Sequence, residues 1–287
     1  METPFDVRDK SLRGGDYGSA EHYVRLLDAY DAALCELFAS SRAGAHRYVP
    51  LHIGYASKVL IKLCTHAGAL MRGLPKSRWG NTECEFWAFS EFAPHCRSIF
   101  ETQLLFWYLL KTPLNEDELK ARVNVMHLND CCGRIKMLKE IWSANEQATY
   151  VAQAEELRDR LSTNNWFVAL PPKLQGRLLS GEYLTISTRD ELLAEVGWDR
   201  REFYLLWHTL SQYIHALPVS FYRMESSGRG TGVENDADRG HLCLMLELCT
   251  QAVSKCTDRW VEIFPDVAAV RQGVKSKFSP GPISNRP

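Results

Sequence analysis

Apolar residues recur at steps of three and four through long segments of the chain, the period that places them on one face of an α-helix. Between Ser19 and Ser41 the residues Tyr23, Leu26, Leu27, Tyr30, Leu34 and Leu37 form such a face. After Pro50 a second segment carries Val59, Leu60, Leu63 and Leu70 until Gly73 and Pro75 stop it. The third, Thr82 to Leu110, is the least amphipathic, with Gln103 the only polar side chain besides Tyr108 between Thr102 and Lys111. A helix apolar on most sides belongs at the centre, and Pro94 is expected to kink it or divide it in two. A fourth opens at Asn115 with Glu118 three residues on, a start resembling a capping box, and runs to Trp142. The fifth spans Glu146 to Leu161.

From Ser162 to Thr188 the helical period lapses, and Asn164, Asn165, Pro171, Pro172 and Gly181 are turn residues. Tyr183 to Ser187 has the composition of a short strand, for which no partner strand is evident. Thr188 opens a capping box leading to a short helix that ends at Gly197, and Asp199 with Glu202 caps the next, which reaches Leu217 before Pro218. Gly228, Gly230 and Gly232 predict a mobile loop. The last helix, Asp236 to Phe264, aligns Leu242, Met245, Leu246, Cys249, Val253, Cys256 and Trp260 on one seam. Together these elements predict an all-α fold, a multi-helix bundle of about seven to eight helices. A single domain over 19–265 is expected between a flexible N-terminus, 1–18, and a flexible tail, 266–287; the alternative sets 188–265 apart as a subdomain.

Composition narrows the function. At 45% hydrophobic and 24% charged the chain can fill a core, which excludes disorder as its main state. Lys and Arg number 34 against 35 Asp and Glu, so no net field gathers nucleic acid or anionic lipid. Nine cysteines, an odd number with Cys131 and Cys132 adjacent, do not make a disulfide framework. Free thiols in a reducing cytoplasm are expected, and Met1 to Ala20 carries no pattern for export. No metal or other cofactor is expected: neither C-x-x-C nor H-E-x-x-H occurs, and His127 with Cys131 or His95 with Cys96 lacks a second pair. Phe203 to Tyr222 contains no Asp, Glu, Lys or Arg, but His208, Thr209, Ser211, Gln212, His215 and Pro218 suit a helix in a soluble fold, so no membrane partner is expected.

Two polar clusters interrupt faces that should be apolar. Arg97 and Glu101 lie four apart, as do Glu91 and His95, spacings that bring side chains together along a helix. Tyr204, His208, Ser211 and His215, at steps of four, three and four, make a stripe on a helix otherwise lined by Phe203, Leu206, Trp207, Leu210, Tyr213, Ile214 and Leu217. The stripe is expected to face the interior or a cleft, with Arg97 and Glu101 as partners for its imidazoles. It is either a polar network fixing helix register or a ligand site, with His215, His208, Glu101 and Arg97 as the candidate catalytic groups. Loss of Arg97 is expected to destabilise strongly by stranding the Glu101 carboxylate. Ser211 and His215 lack the G-x-S-x-G of a hydrolase elbow. Gly228 to Gly232 follows a helix rather than a strand and is not a phosphate loop, although Arg223 and Arg229 place cations near it.

The R-S-I-F-E-T run at Arg97, the aromatic helix after it and the later S-x-x-x-H helix resemble a family of uncharacterised bacterial all-helical proteins, over Phe86 to Tyr222. Arg97, Glu101, Ser211 and His215 stand at the matching positions; the resemblance implies a helical fold and carries no activity. Arg201 and His208, with six residues between them, also fit the spacing of HEPN-type ribonucleases, with Glu202 the only match for the polar residue after that family's Arg. That resemblance implies metal-independent cleavage, His moving the proton of a ribose 2′-hydroxyl and Arg steadying the phosphate. The first expectation is a cytosolic ligand- or partner-binding, regulatory protein, in a setting of stress or phage defence, acting on an unknown small ligand or protein. Nucleic acid enters only with the ribonuclease alternative, and a homodimer is compatible with either.

Overall fold

The computed structural model describes residues 16–80, 83–113, 115–222, 224 and 228–277. They are all-helical, with α1 (Ala20–Ala43), α2 (Leu51–Gly73), α3 (Phe89–Leu110), α4 (Glu116–Leu138), α5 (Ala144–Ser162), α6 (Asn165–Val168), α7 (Pro172–Leu179), α8 (Arg189–Val196), α9 (Arg200–Ile214), α10 (Pro218–Phe221), α11 (Asp236–Ile263) and a closing 3₁₀ helix, Pro265–Val270. The count exceeds the seven to eight helices expected, because short helices occupy stretches read as turns. Among the described residues none of these helices is long and apolar enough to cross a membrane.

The chain divides into two compact units: Leu110–Leu192, and the segments up to Leu109 and from Leu193. In the larger unit α1 packs most extensively on α11. Tyr23, Tyr30, Leu34 and Leu37 are fully buried on α1, and Leu246, Cys249, Val253, Cys256 and Trp260 form the facing seam. At Gly44, the C-cap of α1, a Cβ would stand 2.4 Å from Trp260 Nε1, so a larger residue there would push the buried indole aside. The same indole N–H donates to the Ser40 carbonyl at 3.2 Å. Two α1 tyrosines reach out of the seam, Tyr23 donating to the Pro75 carbonyl at 2.9 Å and Tyr30 to that of Ala67 at 3.0 Å. Buried Asp31 collects Trp79 Nε1 at 2.7 Å and Arg78 Nη2 at 2.9 Å, tying α1 to the turn after α2.

Much of α3 is buried, including Phe92, Cys96, Ile99, Phe100 and Phe106, and its one buried amide is satisfied. Gln103 accepts from Trp198 Nε1 at 2.9 Å and donates to the Ala252 carbonyl at 3.5 Å. Pro94 sits inside α3 without dividing it. The helix begins at Phe89; Thr82 lies outside the described residues, residues 83–88 are not helical, and Trp87 donates its backbone N–H to the Gly232 carbonyl at 3.0 Å. Beyond α11, Val267 is buried, and Arg271 pairs with Glu36 at 2.9 Å and Asp258 at 2.6 Å. Residues 266–277, read from sequence as the start of the tail, are thereby held on α1 and α11, whereas 1–15 and 278–287 lie outside the described residues.

In the smaller unit α4 and α5 form a hairpin around Ala121, Val125, Leu128, Cys131, Ala154, Leu157 and Leu161, closed by Phe167 and Leu178. α4 ends at Leu138 rather than Trp142, which turns back to stack on Tyr150 at 5.3 Å between ring centroids. Glu118 and Arg122 form a buried ion pair one turn apart, and Arg122 Nη1 donates to the Lys111 carbonyl at 2.8 Å. Tyr183 to Ser187 form no strand; Arg177 covers the Tyr183 ring at 4.4 Å instead.

None of the nine cysteines is in a disulfide, and seven are buried, with Cys84 exposed and Cys132 half-buried. Burial pushes the Cys64 thiol up to about 12 and that of Cys243 to about 11, so both are protonated at neutral pH. Alkylation of the native protein is therefore expected at Cys84 first and more slowly at Cys132 and at Cys131, which lines the cleft between α4 and α5, the other six reacting only after denaturation, as peptide mass mapping would register.

Candidate functional site

Arg97 leaves α3 one turn after Pro94 and meets α9. Its Nε donates to Glu101 Oε1 at 3.0 Å and its Nη1 to Ser211 Oγ at 3.0 Å. The guanidinium lies 3.9 Å from the Trp207 ring centroid, a close cation–π contact. The Ser211 hydroxyl donates to the Trp207 carbonyl at 2.9 Å, which leaves its lone pairs to accept from Arg97. The guanidinium side chain is 24% exposed and the Glu101 side chain 47%. Two helices, a carboxylate, a hydroxyl and an indole face thus hold one arginine in a fixed orientation at the surface.

The rest of the polar stripe lies elsewhere than expected. His208 and His215 are exposed and Tyr204 is half-buried. α9 buries one stripe alone, Phe203, Leu206, Leu210 and Tyr213, while Leu205 is 36% exposed, so its apolar content does not submerge the polar face. Solvated imidazoles need no protein partner, and the expected requirement for Glu101 falls away. Tyr204 is covered by Arg200 at 5.2 Å and lies 6.4 Å from the His208 ring. His215 is the C-cap of α9; Leu217 N–H donates to the Gln212 carbonyl at 2.9 Å and Ala216 takes a left-handed φ of 48°, closing the helix in a Schellman turn.

Stranding of Glu101 is corrected by the same numbers. A carboxylate about half exposed is solvated when its partner is removed, so loss of Arg97 costs only about 1 kcal/mol, mostly the Trp207 contact. Glu91 and His95 share a helix face, where desolvation raises the Glu91 carboxyl; desolvation and then His66 of α2 lower His95. Among the described residues no three His, Cys, Asp or Glu side chains gather as metal ligands.

The glycine loop is tied at two points. Asp238, fully buried, accepts from the Gly230 backbone N–H at 2.6 Å, from Asn235 Nδ2 at 2.8 Å and from the Phe89 backbone N–H at 3.5 Å. Arg229 donates to the Val219 and Tyr222 carbonyls at 3.2 and 2.9 Å. Gly228, Gly230 and Gly232 all have positive φ, the conformation that makes these turns possible. Arg223 lies outside the described residues.

Trp207 is the residue that sequence reasoning assigned to the apolar lining and the structure places in the site. Its signal was its position four before Ser211, on the turn below that hydroxyl. The sequence matches no protein-family model, and no curated protein and no solved structure matches it.

Proposed function

We propose that the chain is a cytosolic ligand- or partner-binding protein whose recognition point is Arg97, presented for a phosphate or carboxylate group. The observation that carries this reading is the guanidinium stacked at 3.9 Å on Trp207 and fixed by Glu101 and Ser211. An arginine ordinarily gives up rotamer freedom on binding; here that freedom is already restricted, which favours a guest. The bonds to Glu101 and Ser211 use Nε and one hydrogen of Nη1, and the remaining N–H edge of the fork suits two oxygens of one anion.

Calorimetric titration with adenosine 5′-monophosphate and with citrate tests the reading. Saturable binding of one of them, weakened at least about tenfold in Arg97→Gln and in Trp207→Ala, is expected. Absence of anion binding, or binding indifferent to Arg97, would overturn it. The ribonuclease reading draws on Arg201 and His208, both exposed and two turns apart on α9, hence on one face. It requires that single-stranded RNA be cleaved in the presence of a chelator and that His208→Ala abolish the cleavage.

A further inference from the structure

The facing sides of α4 and α5 leave an open cleft of about 260 Å³ within the smaller unit. At about 30 Å³ per water-sized group it holds roughly nine of them, the scale of a small metabolite. Its floor is apolar, made by buried Cys131 and Leu157. Asp130 of α4 and Glu156 of α5 rise on opposite walls, with His127, Gln153 and Arg160 beside them.

Each carboxylate is held along its own helix rather than across the gap. Asp130 pairs with Arg134 at 2.8 Å and Glu156 with Arg160 at 2.5 Å. All four side chains are well exposed, between 44% and 60%. Exposed pairs of this kind are weak, so either carboxylate can turn to a guest at little cost. With Arg134 counted the charges cancel, but Arg134 stands outside the lining, so the walls themselves present two carboxylates and one guanidinium, and a cation is selected by contact with those carboxylates rather than by a net field.

We infer that this cleft binds a small protonated amine on a short alkyl chain. The ammonium has three donors and no acceptor, and two carboxylates from opposite walls satisfy it. The alkyl chain lies over Cys131 and Leu157 and removes their apolar surface from water. The same chemistry comes from a free amine or from an amino acid, whose carboxylate would meet Arg160.

Calorimetry on the full chain with pentylamine, norleucine and pentanoate separates these cases. Saturable binding of pentylamine or norleucine is expected, with pentanoate silent and the Asp130→Asn, Glu156→Gln double variant at least about tenfold weaker. Tighter binding of norleucine that is lost in Arg160→Gln assigns the site to amino acids; tighter binding of pentylamine assigns it to free amines. Failure of both amines to bind up to about 10 mM, equal binding of pentanoate, or full affinity in the double variant overturns the proposal. The substituted residues are exposed and the replacements isosteric, so the fold is retained, as circular dichroism would verify. Arg97→Gln leaves amine binding unchanged, because this site shares no residue with the proposed anion site.

Discussion

Glu118→Ala lowers the stability of the protein by about 3 to 5 kcal/mol, the range for breaking one half of a buried ion pair. Both side chains are nearly enclosed, at 7% exposure for Glu118 and 8% for Arg122. Removing the carboxylate takes the anion from beside a nearly enclosed guanidinium, and the bond from Arg122 to the Lys111 carbonyl at 2.8 Å goes to a neutral acceptor. The pair itself is a different matter from its halves. Replacing both residues, as in Glu118→Leu with Arg122→Met, removes the two desolvated charges together and is expected to recover most of the loss. Urea denaturation of the two single variants and the double variant gives the comparison. A single variant within about 1 kcal/mol of wild type would show that water reaches the pair and that the enclosure is not real in solution.

That pair also shows what was legible in the sequence and what was not. Asn115 and Glu118 were read as a helix start, and Asn115 does accept from the Glu118 backbone N–H at 2.8 Å. The Glu118 side chain, however, turns inward to Arg122, one turn later on the same helix. Cap spacing identifies a start but not which way a side chain goes once tertiary packing competes for it. The long helices were readable because their seams are strict: Tyr23, Leu27, Tyr30, Leu34 and Leu37 on α1 are all buried. The short ones were not. Pro171 and Pro172 read as turn residues in the sequence, yet Pro172 is the first residue of α7, where its missing N–H costs nothing. Asn164 was likewise read as a turn and caps α6, accepting from Phe167 N–H at 2.8 Å. Residues 83–88, expected within α3, are not helical, and Trp87 gives its N–H to the glycine loop.

At the candidate site, the pairing of Arg97 with Glu101 followed from their spacing within one helix. The junction with Ser211 could be anticipated because both residues interrupt apolar faces, and the structure joins them at 3.0 Å. Burial of the histidines could not be read in the same way. Hydrophobic content says how much of a helix can be buried, and only the neighbours decide how much is. α9 leaves Leu205, Thr209 and His208 outward of its Phe203, Leu206, Leu210 and Tyr213 stripe.

Asp238→Ala is expected to cost about 3 to 5 kcal/mol and to free the glycine loop, while His215→Ala, at an exposed position, stays within about 0.5 kcal/mol. Asp238 has 0% exposure, and its carboxylate gathers three donors, Gly230 N–H, Asn235 Nδ2 and Phe89 N–H. Alanine leaves those donors without that acceptor and opens a small void beside them. Asp238→Asn keeps one oxygen and should lose about half as much, because an amide accepts more weakly than a carboxylate and brings two hydrogens that need acceptors. The same carboxylate connects the loop to the start of α3, so its removal loosens the segment that ends in Trp87 and Phe89. Hydrogen exchange reads this directly: the Gly230 and Trp87 amides, bonded to Asp238 at 2.6 Å and to Gly232 at 3.0 Å, are protected in the native protein and exchange faster in Asp238→Ala. Unchanged protection at both amides, with an unchanged melting temperature, would mean the loop is held by its glycine turns and by Arg229 alone. The signal lay in the sequence as Asn235 followed three residues later by Asp238, a cap and an acid in the first turn of α11. Only the fold turns that acid away from the helix end and onto the loop, which is why three glycines that read as a mobile connection are an anchored one.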